Sequence, residues 1–433
     1  IPKPFFSQVF YIVFFNISDR KSAILYPTSE EEIVAIVKLA NQKKQKIRVV
    51  GSGHSFTPLV ETNSILISLD NLKGAIKMDE NLLEAEVFAG TKLHELGPML
   101  LEKNMALENM GDIDIQSIAG AFSSSTHGTG LNFGILSNQV LAITLVNGNG
   151  DIVRLEKDKN GEEFKAAQVS LGMLGIITRI KLKLLPAYKL NYISKKATFE
   201  HTLENFEKYN NENRNFEFYW FPHTETCQLK FVNATQEKPS NEMLYKFNVL
   251  VMENYVFKLL SEIARVFSAP KFISKLSAAG VSSVNYTNWS FKVFATKRIV
   301  KFQEMEYNVP REHFKTILTE IKELISSKNI KVHFPIECRI AKADDILISP
   351  AYGRESAYIA VHMYKGMEYK EYFLEIQKIV EKYNGRPHWG KMHFSKKEYF
   401  KLNYPKWELF IEIRKKYDPE NIFLNTHLNE FFQ

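Results

Sequence analysis

Cysteine is scarce in this sequence, whose 433 residues include only Cys227 and Cys338. The two lie far apart and outside any metal-ligand spacing. This excludes a disulfide scaffold and a cysteine zinc site, and it favours a reducing, cytoplasmic compartment. Long apolar runs are also missing, since the longest, residues 9–15, is far shorter than the roughly 20 residues that cross a bilayer. Residues 5–15 are either the remnant of a removed leader or an N-terminal strand or helix.

Charge of one sign is limited too, because 56 Lys and Arg residues against 49 Asp and Glu residues leave a net charge of +7. Without a basic stripe this excess does not indicate nucleic-acid binding, although it allows contact with anions or a membrane surface. Apolar residues at 45% and charged residues at 24% exclude a disordered or fibrous chain. Aromatic residues are plentiful, with 32 Phe, 19 Tyr and 4 Trp, enough for a large core and an aromatic-lined pocket.

The first part of the chain, up to Pro186, alternates strand and helix patterns. Ser29 and Glu32 form a capping box before a helix, and a strand at 46–50 runs into a glycine-rich stretch. An Asn-Gly-Asn-Gly turn at 147–150 predicts a hairpin. Further strands are predicted at 65–69, 84–89 and 174–184, and a second helix begins at Thr91. These patterns predict an α+β domain of a nucleotide-binding type.

Residues 187–385 have a different pattern, in which longer strands alternate with amphipathic helices. The predicted strands are 216–221, 301–309, 331–340 and 358–364, and the predicted helices are 311–327 and 369–383. The apolar stretch 249–267 is predicted to be a core helix of this region. Contact with a membrane surface is the less favoured alternative, because the polar face of this stretch is thin.

Two glycine-rich loops are candidate phosphate sites, although neither fits the dinucleotide G-x-G-x-x-G pattern or the P-loop. The first is GSGHS at 51–55, and the second joins the small-residue run 119–126 to GTGLNFG at 128–134. Backbone N–H groups in such turns bind anions, and the hydroxyls of 123–126 add donors, so two loops could hold a pyrophosphate. The alternative is that the glycines only make tight turns. His54 and His127 lie within these loops.

Glu337 and Arg339 are two residues apart on a predicted strand, so they share one face while Cys338 points to the other. A carboxylate beside a guanidinium suits a polyhydroxy substrate next to a cofactor that becomes negatively charged. A cross-strand salt bridge is the alternative. The segment 387–391, Pro-His-Trp-Gly-Lys, combines a rigid turn, an aromatic ring and a cation, and alone it could be a surface turn.

Taken together, nearly the whole chain resembles the vanillyl-alcohol-oxidase (PCMH-type FAD) superfamily, and specifically its aldonolactone oxidase branch. The matching segments are RVVGSGHS at 48–55, NMGDIDIQSIAG at 109–120, STHGTG at 125–130, GMLGIIT at 172–178, YWFPHT at 219–224, MEYNVP at 305–310, HWGK at 388–391, DP at 418–419 and FLN at 423–425. One departure lies at 14–18, where the family usually has a Trp- and Gly-containing stretch.

This resemblance implies an FAD-binding domain in two segments, 1–186 and 386–433, with an α/β cap domain at 187–385 that has an antiparallel sheet. It implies oxidation of a sugar 1,4-lactone of the D-arabinono, L-gulono or L-galactono type at the C2 hydroxyl. Hydride would pass to the flavin, and O2 would be reduced to H2O2. A small sugar lactone or polyol and O2 are the expected partners, and neither nucleic acid nor a metal ion is expected.

The resemblance also assigns roles to individual residues. Covalent FAD is expected on His54, charge stabilisation near the flavin N1–C2 carbonyl on Arg339, substrate hydroxyl binding on Glu337, and help in proton departure on Lys391. Ser117 and His362 are further catalytic candidates. The other cofactor-binding candidates are Gly51, Ser52, Gly53, Ser55, Gly111, Asp112, Ser117, Gly120, Ser123, Ser124, Thr126, His127, Gly128, Gly130, Gly175, Ile177, His388 and Lys391.

Gly111 bears on the electron acceptor. In related plant-type lactone dehydrogenases the matching position is an alanine whose methyl group obstructs oxygen, so glycine is expected to leave a methyl-sized gap beside the flavin. A positive φ in the turn before Asp112 is the alternative reason for this glycine.

Three other functions remain open at this stage. An alditol oxidase would use the same scaffold on an open-chain polyol, and a lactone dehydrogenase would use an acceptor other than oxygen. A glycan- or nucleotide-binding protein without redox activity is the third alternative.

Overall fold

The computed structural model describes residues 24–296 and 298–433, so the predictions for residues 5–15 and 14–18 lie outside the described residues. The strands are β1 Ile24–Leu25, β2 Ile47–Val50, β3 Ile65–Ser68, β4 Ala75–Asp79, β5 Glu84–Phe88, β6 Met105–Ala106, β7 Val140–Val146, β8 Ile152–Glu156, β9 Ile176–Lys183, β10 Leu185–Pro186, β11 Lys189–Thr198, β12 Asn215–Trp220, β13 Thr226–Thr235, β14 Val284–Trp289, β15 Phe302–Pro310, β16 Ile336–Ala341, β17 Ser356–Tyr364 and β18 Arg386–Pro387.

The helices follow the amphipathic stretches of the sequence. They are α1 Glu30–Gln42, α2 Leu93–Glu102, α3 Ile118–Ser123, α4 Gly161–Gln168, α5 Phe199–Glu204, α6 Phe206–Glu212, α7 Glu242–Asn248, α8 Phe257–Val266, α9 Pro270–Ala279, α10 Ser290–Phe294, α11 Phe314–Ser327, α12 Lys370–Lys382, α13 Lys397–Asn403, α14 Trp407–Tyr417 and α15 Thr426–Phe432. Short 3-10 helices cover Leu136–Gln139 and Arg311–His313, and a π-helix covers Val249–Val256.

Most local predictions for the first part of the chain are confirmed. Ser29 caps α1 by accepting the Glu32 N–H at 3.3 Å, but the Glu32 carboxylate bonds to the Thr28 N–H and not to Ser29. The predicted hairpin is the antiparallel pair β7–β8. Pro186 does not simply end a strand, because Leu185 and Pro186 pair with β6.

Two sheets build the unit around the glycine-rich loops. A parallel sheet has the order β1–β3–β2, and an antiparallel sheet has the order β4–β5–β9–β7–β8. Their apolar sides share one core with the end of the chain, where Trp389, Phe400, Trp407 and Phe432 are buried. The last segment of the chain therefore packs on the first, across the long insertion between them.

The insertion is centred on an antiparallel sheet with the order β14–β11–β13–β12–β16–β17–β15–β18. Helices α11 and α12 cover one face and bury a second core, which includes Cys338. Strand β16 begins only at Ile336, so the strand predicted from residue 331 is too long. Because side chains alternate along each strand, the other face carries Glu337 and Arg339, as the sequence predicts.

The stretch 249–267 does not form the predicted core helix. Leu259 is 62% exposed and Phe267 is 74% exposed, whereas Ser261 and Ala264 are the buried residues of α8. The inward polar group is satisfied, because the Ser261 hydroxyl lies 3.0 Å from the His333 ring. Among the described residues, no helix is long and apolar enough to cross a membrane.

Candidate active site

A cleft runs along the two glycine-rich loops, and we call the loop side of it, residues 51–55 and 116–124, the loop wall. Eleven of the predicted cofactor-binding residues line this cleft, namely Gly51, Ser52, Gly53, His54, Ser55, Ser117, Gly120, Ser123, Ser124, Gly175 and Ile177. The first loop follows β2 and the second begins at α3. Both therefore start from elements whose apolar sides are fixed in the core.

The two loops meet at the Ser117 side chain. A Cβ at Gly120 would stand 3.0 Å from the Ser117 Oγ, and a Cβ at Gly51 would stand closer still. Gly53 adopts a φ of +67°, a conformation that L side chains rarely take. These three glycines therefore allow backbone and hydroxyl groups to crowd together. Ser117, a catalytic as well as a cofactor-binding candidate, thus lies on the loop wall.

Arg48 lines this cleft, and among the described residues it has no carboxylate within salt-bridge distance. Its guanidinium is buried and donates to the carbonyls of Leu59, Leu171 and Phe423 at 2.8, 2.6 and 2.6 Å. Burial lowers the pKa of Arg48 to about 10, partly offset by Asp418. One side chain thus joins the first loop to the glycine segment at 172–175 and to the C-terminal segment.

The segment 388–391 is not a surface turn, because it lies directly against the first loop. The Phe56 N–H donates to the Gly390 carbonyl at 2.7 Å, and the Thr57 hydroxyl donates to the Trp389 carbonyl at 3.0 Å. This brings Lys391 beside His54. Burial and the Lys391 charge both lower the pKa of His54, so its imidazole is neutral near pH 7.

The segment 388–391 also contacts the polar face of the large sheet, which we call the cap wall and which is made of Glu217, Tyr219, Glu304, Glu306, Glu337 and Arg339. The register brings these strands together: Tyr219 pairs with Glu337, Glu337 with Ala360, and Ala360 with Glu306. Because Ala360 has only a methyl group, it leaves room between the two glutamates. Four of these six residues are glutamates and one is an arginine, although the face is largely buried.

Arg339 is surrounded by carboxylates. Its Nε donates to Glu217 Oε2 at 2.7 Å, and its Nη2 lies 2.5 Å from Asp112 Oδ1 and in contact with Glu337. Despite burial, Arg339 holds the pKa of Asp112 below its ordinary value. Burial raises the pKa of Glu337, and the neighbouring Asp112 and Glu217 raise it further against the opposing effect of Arg339. Tyr219 donates to Glu337 at 2.7 Å, which orients this carboxylate.

Glu304 and Glu306 contact basic side chains on the other half of the cap wall. Glu304 contacts the Lys391 ammonium and lies 3.4 Å from His362 Nε2, and Lys391 lowers the pKa of Glu304 to about 2 in spite of burial. Glu306 lies 3.1 Å from His127 Nε2. The structure therefore brings Lys391 and His362 together through Glu304.

His127 is held on three sides. Its Nδ1 lies 2.8 Å from the Gly128 carbonyl, which can only accept, so Nδ1 carries a proton. Its ring stacks on Tyr358 with centroids 3.6 Å apart. His388 stands nearby, but burial lowers its pKa to about 4, so it is neutral. His127 and His388 thus join the cap wall instead of lining the loop-wall cleft.

The remaining predicted cofactor residues have other surroundings. Thr126 accepts from Gln116 at 3.4 Å, Gly128 borders a second cavity beside Arg339, and Gly130 donates its N–H to the Ile340 carbonyl at 3.1 Å. Gly130 therefore joins the second loop to β16. At Gly111 a Cβ would stand 3.0 Å from the His127 carbonyl oxygen, so the expected gap is filled by backbone. Gly111 is also not among the glycines with positive φ, so that alternative is wrong.

Sequence reasoning did not identify four cap-wall residues, Glu217, Tyr219, Glu304 and Glu306, or the Glu217 partner Lys230. Glu217 and Tyr219 alternate with buried aromatics on β12, and Glu304 and Glu306 alternate with Met305 and Tyr307 on β15. A charged residue at every second position of an otherwise apolar strand was the available signal. This alternation indicates that the strand has a polar face, but it does not indicate which residues contact that face.

The cleft fits the pyrophosphate-containing cofactor that the loops suggest. The close approach of Gly51 and Gly120 to Ser117 leaves N–H groups and hydroxyls directed at one place, which suits a phosphate. The neutral imidazole of His54 lies at one end, beside Lys391. The residues that would hold FAD are therefore those of the loop wall.

Comparison with known proteins places the chain in a family. Residues 21–156 match the FAD binding domain model, and residues 180–431 match the D-arabinono-1,4-lactone oxidase model. L-gulono-1,4-lactone dehydrogenase of Mycobacterium tuberculosis is 36% identical over 94% of this chain and 95% of the relative. L-gulonolactone oxidase of Mus musculus is 31% identical over 94% of both chains. The chain belongs to the family of FAD-dependent aldonolactone oxidoreductases.

Solved structures support the same fold. A solvent-stable cholesterol oxidase superposes with a TM-score of 0.83, covering 95% of this chain and 94% of the other at 18% identity. A chitooligosaccharide oxidase superposes with a TM-score of 0.69, covering 98% and 96%, at 14% identity. The α+β fold with its antiparallel cap sheet is thus shared with both of these oxidases.

Proposed function

We propose that this protein oxidises the C2 hydroxyl of an aldono-1,4-lactone. The observation that carries the proposal is that Glu337 and Arg339, both on β16, share the polar face of the large sheet with Glu304, and that Glu304 contacts Lys391 beside His54. FAD bound along the loop wall would supply the redox chemistry by accepting the hydride from C2. The names and substrates of the family members support the choice of a lactone.

Several residues on the cap wall and in contact with it have a task in this reaction. Arg339 provides a fixed positive charge that stabilises the negative charge developing at the cofactor, as preorganised donors do in other enzymes. Glu337, oriented by Tyr219, accepts hydrogen bonds from substrate hydroxyls. Lys391, held by Glu304, stands where it helps the hydroxyl proton leave, and His362 contacts the same glutamate.

Anaerobic reduction of the bound flavin by different substrates tests this function. We expect D-arabinono-, L-gulono- or L-galactono-1,4-lactone to bleach the flavin absorbance faster than xylitol does. Faster reduction by xylitol would favour the alditol oxidase instead. A purified protein without bound flavin would favour a binding protein without redox activity.

Covalent attachment of FAD to His54 is part of the proposal. The imidazole lies in the first loop, and its lowered pKa keeps it in the neutral, nucleophilic form near pH 7. Acid precipitation followed by in-gel fluorescence measures the link. We expect the flavin to remain with the wild-type protein and to be released from His54→Ala, whereas release from the wild type would contradict the link.

We further propose O2 as the electron acceptor, with H2O2 as product. The oxidase names of the matching family model and of the mouse relative support it, whereas Gly111 does not, because backbone fills the gap expected there. Stopped-flow mixing of lactone-reduced enzyme with air-saturated buffer is the test, and the wild type should reoxidise rapidly. Slow reoxidation of the wild type would favour a dehydrogenase, the activity named for the mycobacterial relative.

A cytoplasmic location with contact to a membrane surface completes the proposal. Both cysteines are free and buried, in keeping with a reducing compartment. Large apolar side chains are exposed on α7–α9, with lysines among them: Phe247, Leu259, Phe267, Phe272, Lys258, Lys271 and Lys275. This combination is typical of segments that bind anionic bilayers. Flotation with phosphatidylserine vesicles should recover wild-type protein, and a Leu259→Ser, Phe267→Ser variant should stay unbound.

A further inference from the structure

A second cavity lies beside Arg339. Its volume is about 50 Å³, and its lining includes Asp112, Glu217, Lys230, Thr296 and Arg339. Asp112 and Arg339 also belong to the carboxylate cluster around Glu337. The cavity therefore begins where the proposed substrate ring would be held.

The polar groups of this cavity have unused hydrogen-bonding capacity. The Thr296 hydroxyl is buried and has no hydrogen-bond partner among the described residues. Among the described residues Lys230 makes one hydrogen bond, donating to Glu217 Oε1 at 3.0 Å, although an ammonium group has three N–H donors. Buried polar groups are usually satisfied, so donors and acceptors left over around a void indicate a polar occupant.

The cavity contains a permanent positive charge on Lys230, next to Glu217. Glu217 lies between two cations, since one oxygen accepts from Lys230 and the other from Arg339. Burial disfavours the Lys230 charge, but Tyr219 and Glu217 raise the pKa of Lys230 well above its ordinary value. Lys230 is thus an ammonium donor, and its Nζ lies over the Tyr219 ring, 4.3 Å from the centroid.

We propose that this cavity is a subsite for the side chain at C4 of a six-carbon aldono-1,4-lactone, and that the enzyme therefore prefers six-carbon over five-carbon lactones. The inference rests on the proposed function. A six-carbon lactone carries a two-carbon diol at C4, whereas a five-carbon lactone carries only a hydroxymethyl group. The cavity is small and lined by polar groups, which suits a two-carbon diol and not a second sugar ring.

In this arrangement the ammonium of Lys230 donates to one hydroxyl oxygen of the diol, and the Thr296 hydroxyl bonds to the other. The diol protons are accepted by the remaining lone pairs of Asp112 and Glu217. A site built to bond a hydroxyl discriminates against an analogue that lacks it, because its buried polar groups are then left unpaired. We expect roughly a ten- to hundredfold difference in affinity, the range of one hydrogen bond to a charged group.

L-galactono-1,4-lactone and D-arabinono-1,4-lactone form the matched pair for the test, because their rings share one configuration and differ in the C4 side chain. Anaerobic stopped-flow reduction of the holoenzyme gives a Kd and a limiting rate for each. The preference should appear in Kd and not in the limiting rate, because the side chain is bound equally before and during hydride transfer.

Two variants and a control sharpen the result. Lys230→Met should bring the ratio of the two Kd values close to one. Thr296→Val keeps the shape without the hydroxyl and should lower the ratio by a smaller factor. Thr319→Val, which removes an exposed hydroxyl of α11 that bonds only its own helix, should leave the ratio as in the wild type.

The outcomes separate the two proposals. Reduction by both lactones with equal Kd in the wild type, or an unchanged ratio in both variants, would overturn the subsite alone. Reduction by neither lactone would overturn the proposed function together with the subsite. A wild-type preference for the six-carbon lactone that both variants diminish would support the assignment.

Discussion

The loop wall and the cap wall both lie beside the segment 388–391, but they are held by different forces. Around Gly51, Gly120 and Ser117, the groups are backbone amides and hydroxyls that glycines allow to approach closely. Around Arg339 and Glu306, the groups are buried charges whose partners come from other strands. The first arrangement depends on sterics within one stretch of chain, whereas the second depends on a sheet being assembled correctly.

This difference determines what a substitution does on each wall. Removing one member of a buried charge cluster leaves the others unpaired, which is costly because water cannot replace the lost partner. Adding an atom to the loop wall instead fills space that the cofactor loops need. The following predictions test this contrast, beginning with the largest expected effect.

Replacement of Arg339 should have the largest effect. Arg339→Ala removes the cation shared by Asp112, Glu217 and Glu337, and we expect the rate of flavin reduction to fall roughly 10²- to 10³-fold. Arg339→Lys should recover only part of this rate, because an ammonium lacks the planar fork of donors. Arg311→Ala, which breaks contacts with Glu207 and Glu355 outside the cleft, is the control. Equal rates for Arg339→Ala and the wild type would contradict the role.

The Glu306–His127 pair should govern stability across the cap wall. Glu306→Gln is expected to lower the free energy of unfolding at pH 7 by roughly 3–5 kcal/mol, the usual cost of breaking a buried pair. Despite burial, His127 lowers the pKa of Glu306 well below its ordinary value, so the stabilisation is present above the unfolded-state pKa and is lost as the pH falls through the folded value.

Urea unfolding at pH 7 and pH 3 measures this effect, and the difference between wild type and variant should be smaller at pH 3. Glu320→Gln at an exposed pair with Lys382 is the matched control and should cost about 0–1 kcal/mol. A constant difference at both pH values would show that the Glu306 charge is not responsible.

On the loop wall, Gly51→Ala should reduce FAD loading, since the new Cβ would collide with the Ser117 Oγ. The double variant Gly51→Ala, Ser117→Ala should recover part of the loading by removing that oxygen. Gly280→Ala, where a Cβ would meet only ordinary contacts at 3.6 Å, should load normally. The ratio of flavin to protein absorbance is the measurement. If the double variant loads no more FAD than Gly51→Ala does, something other than the Ser117 oxygen obstructs loading.

The smallest effect concerns Lys391. Burial disfavours its charge, but Glu304 and Glu306 raise the pKa of Lys391 above its ordinary value. Glu304→Gln should lower that pKa, so the alkaline limb of the flavin-reduction rate should move to lower pH. Glu375→Gln, which affects a surface contact with Lys328 and Lys378, should leave the profile in place. If the alkaline limb of the Glu304→Gln rate profile stays at the wild-type pH, Lys391 is not the group that titrates there.

The same contrast explains which predictions from sequence were successful. His54 and its glycines are read from one short stretch after a strand, and they line the cleft. The segment 249–267 was misjudged, because its apolar residues imply burial while α8 in fact buries Ser261 and Ala264. Composition gave no sign that the large side chains of this segment point outward.

The sequence by itself determined the two glycine-rich loops, the HWGK segment and the alternation that places Glu337 and Arg339 on one face. These features depend on neighbours within a few residues, where φ preferences and the two-residue period of a strand act. Only the tertiary structure decided that Glu217 would meet Arg339, that Glu304 would hold Lys391 and that Glu306 would hold His127. Those partners are separated by 122, 87 and 179 positions in the chain, and a buried charge has no local pattern that names its counter-ion.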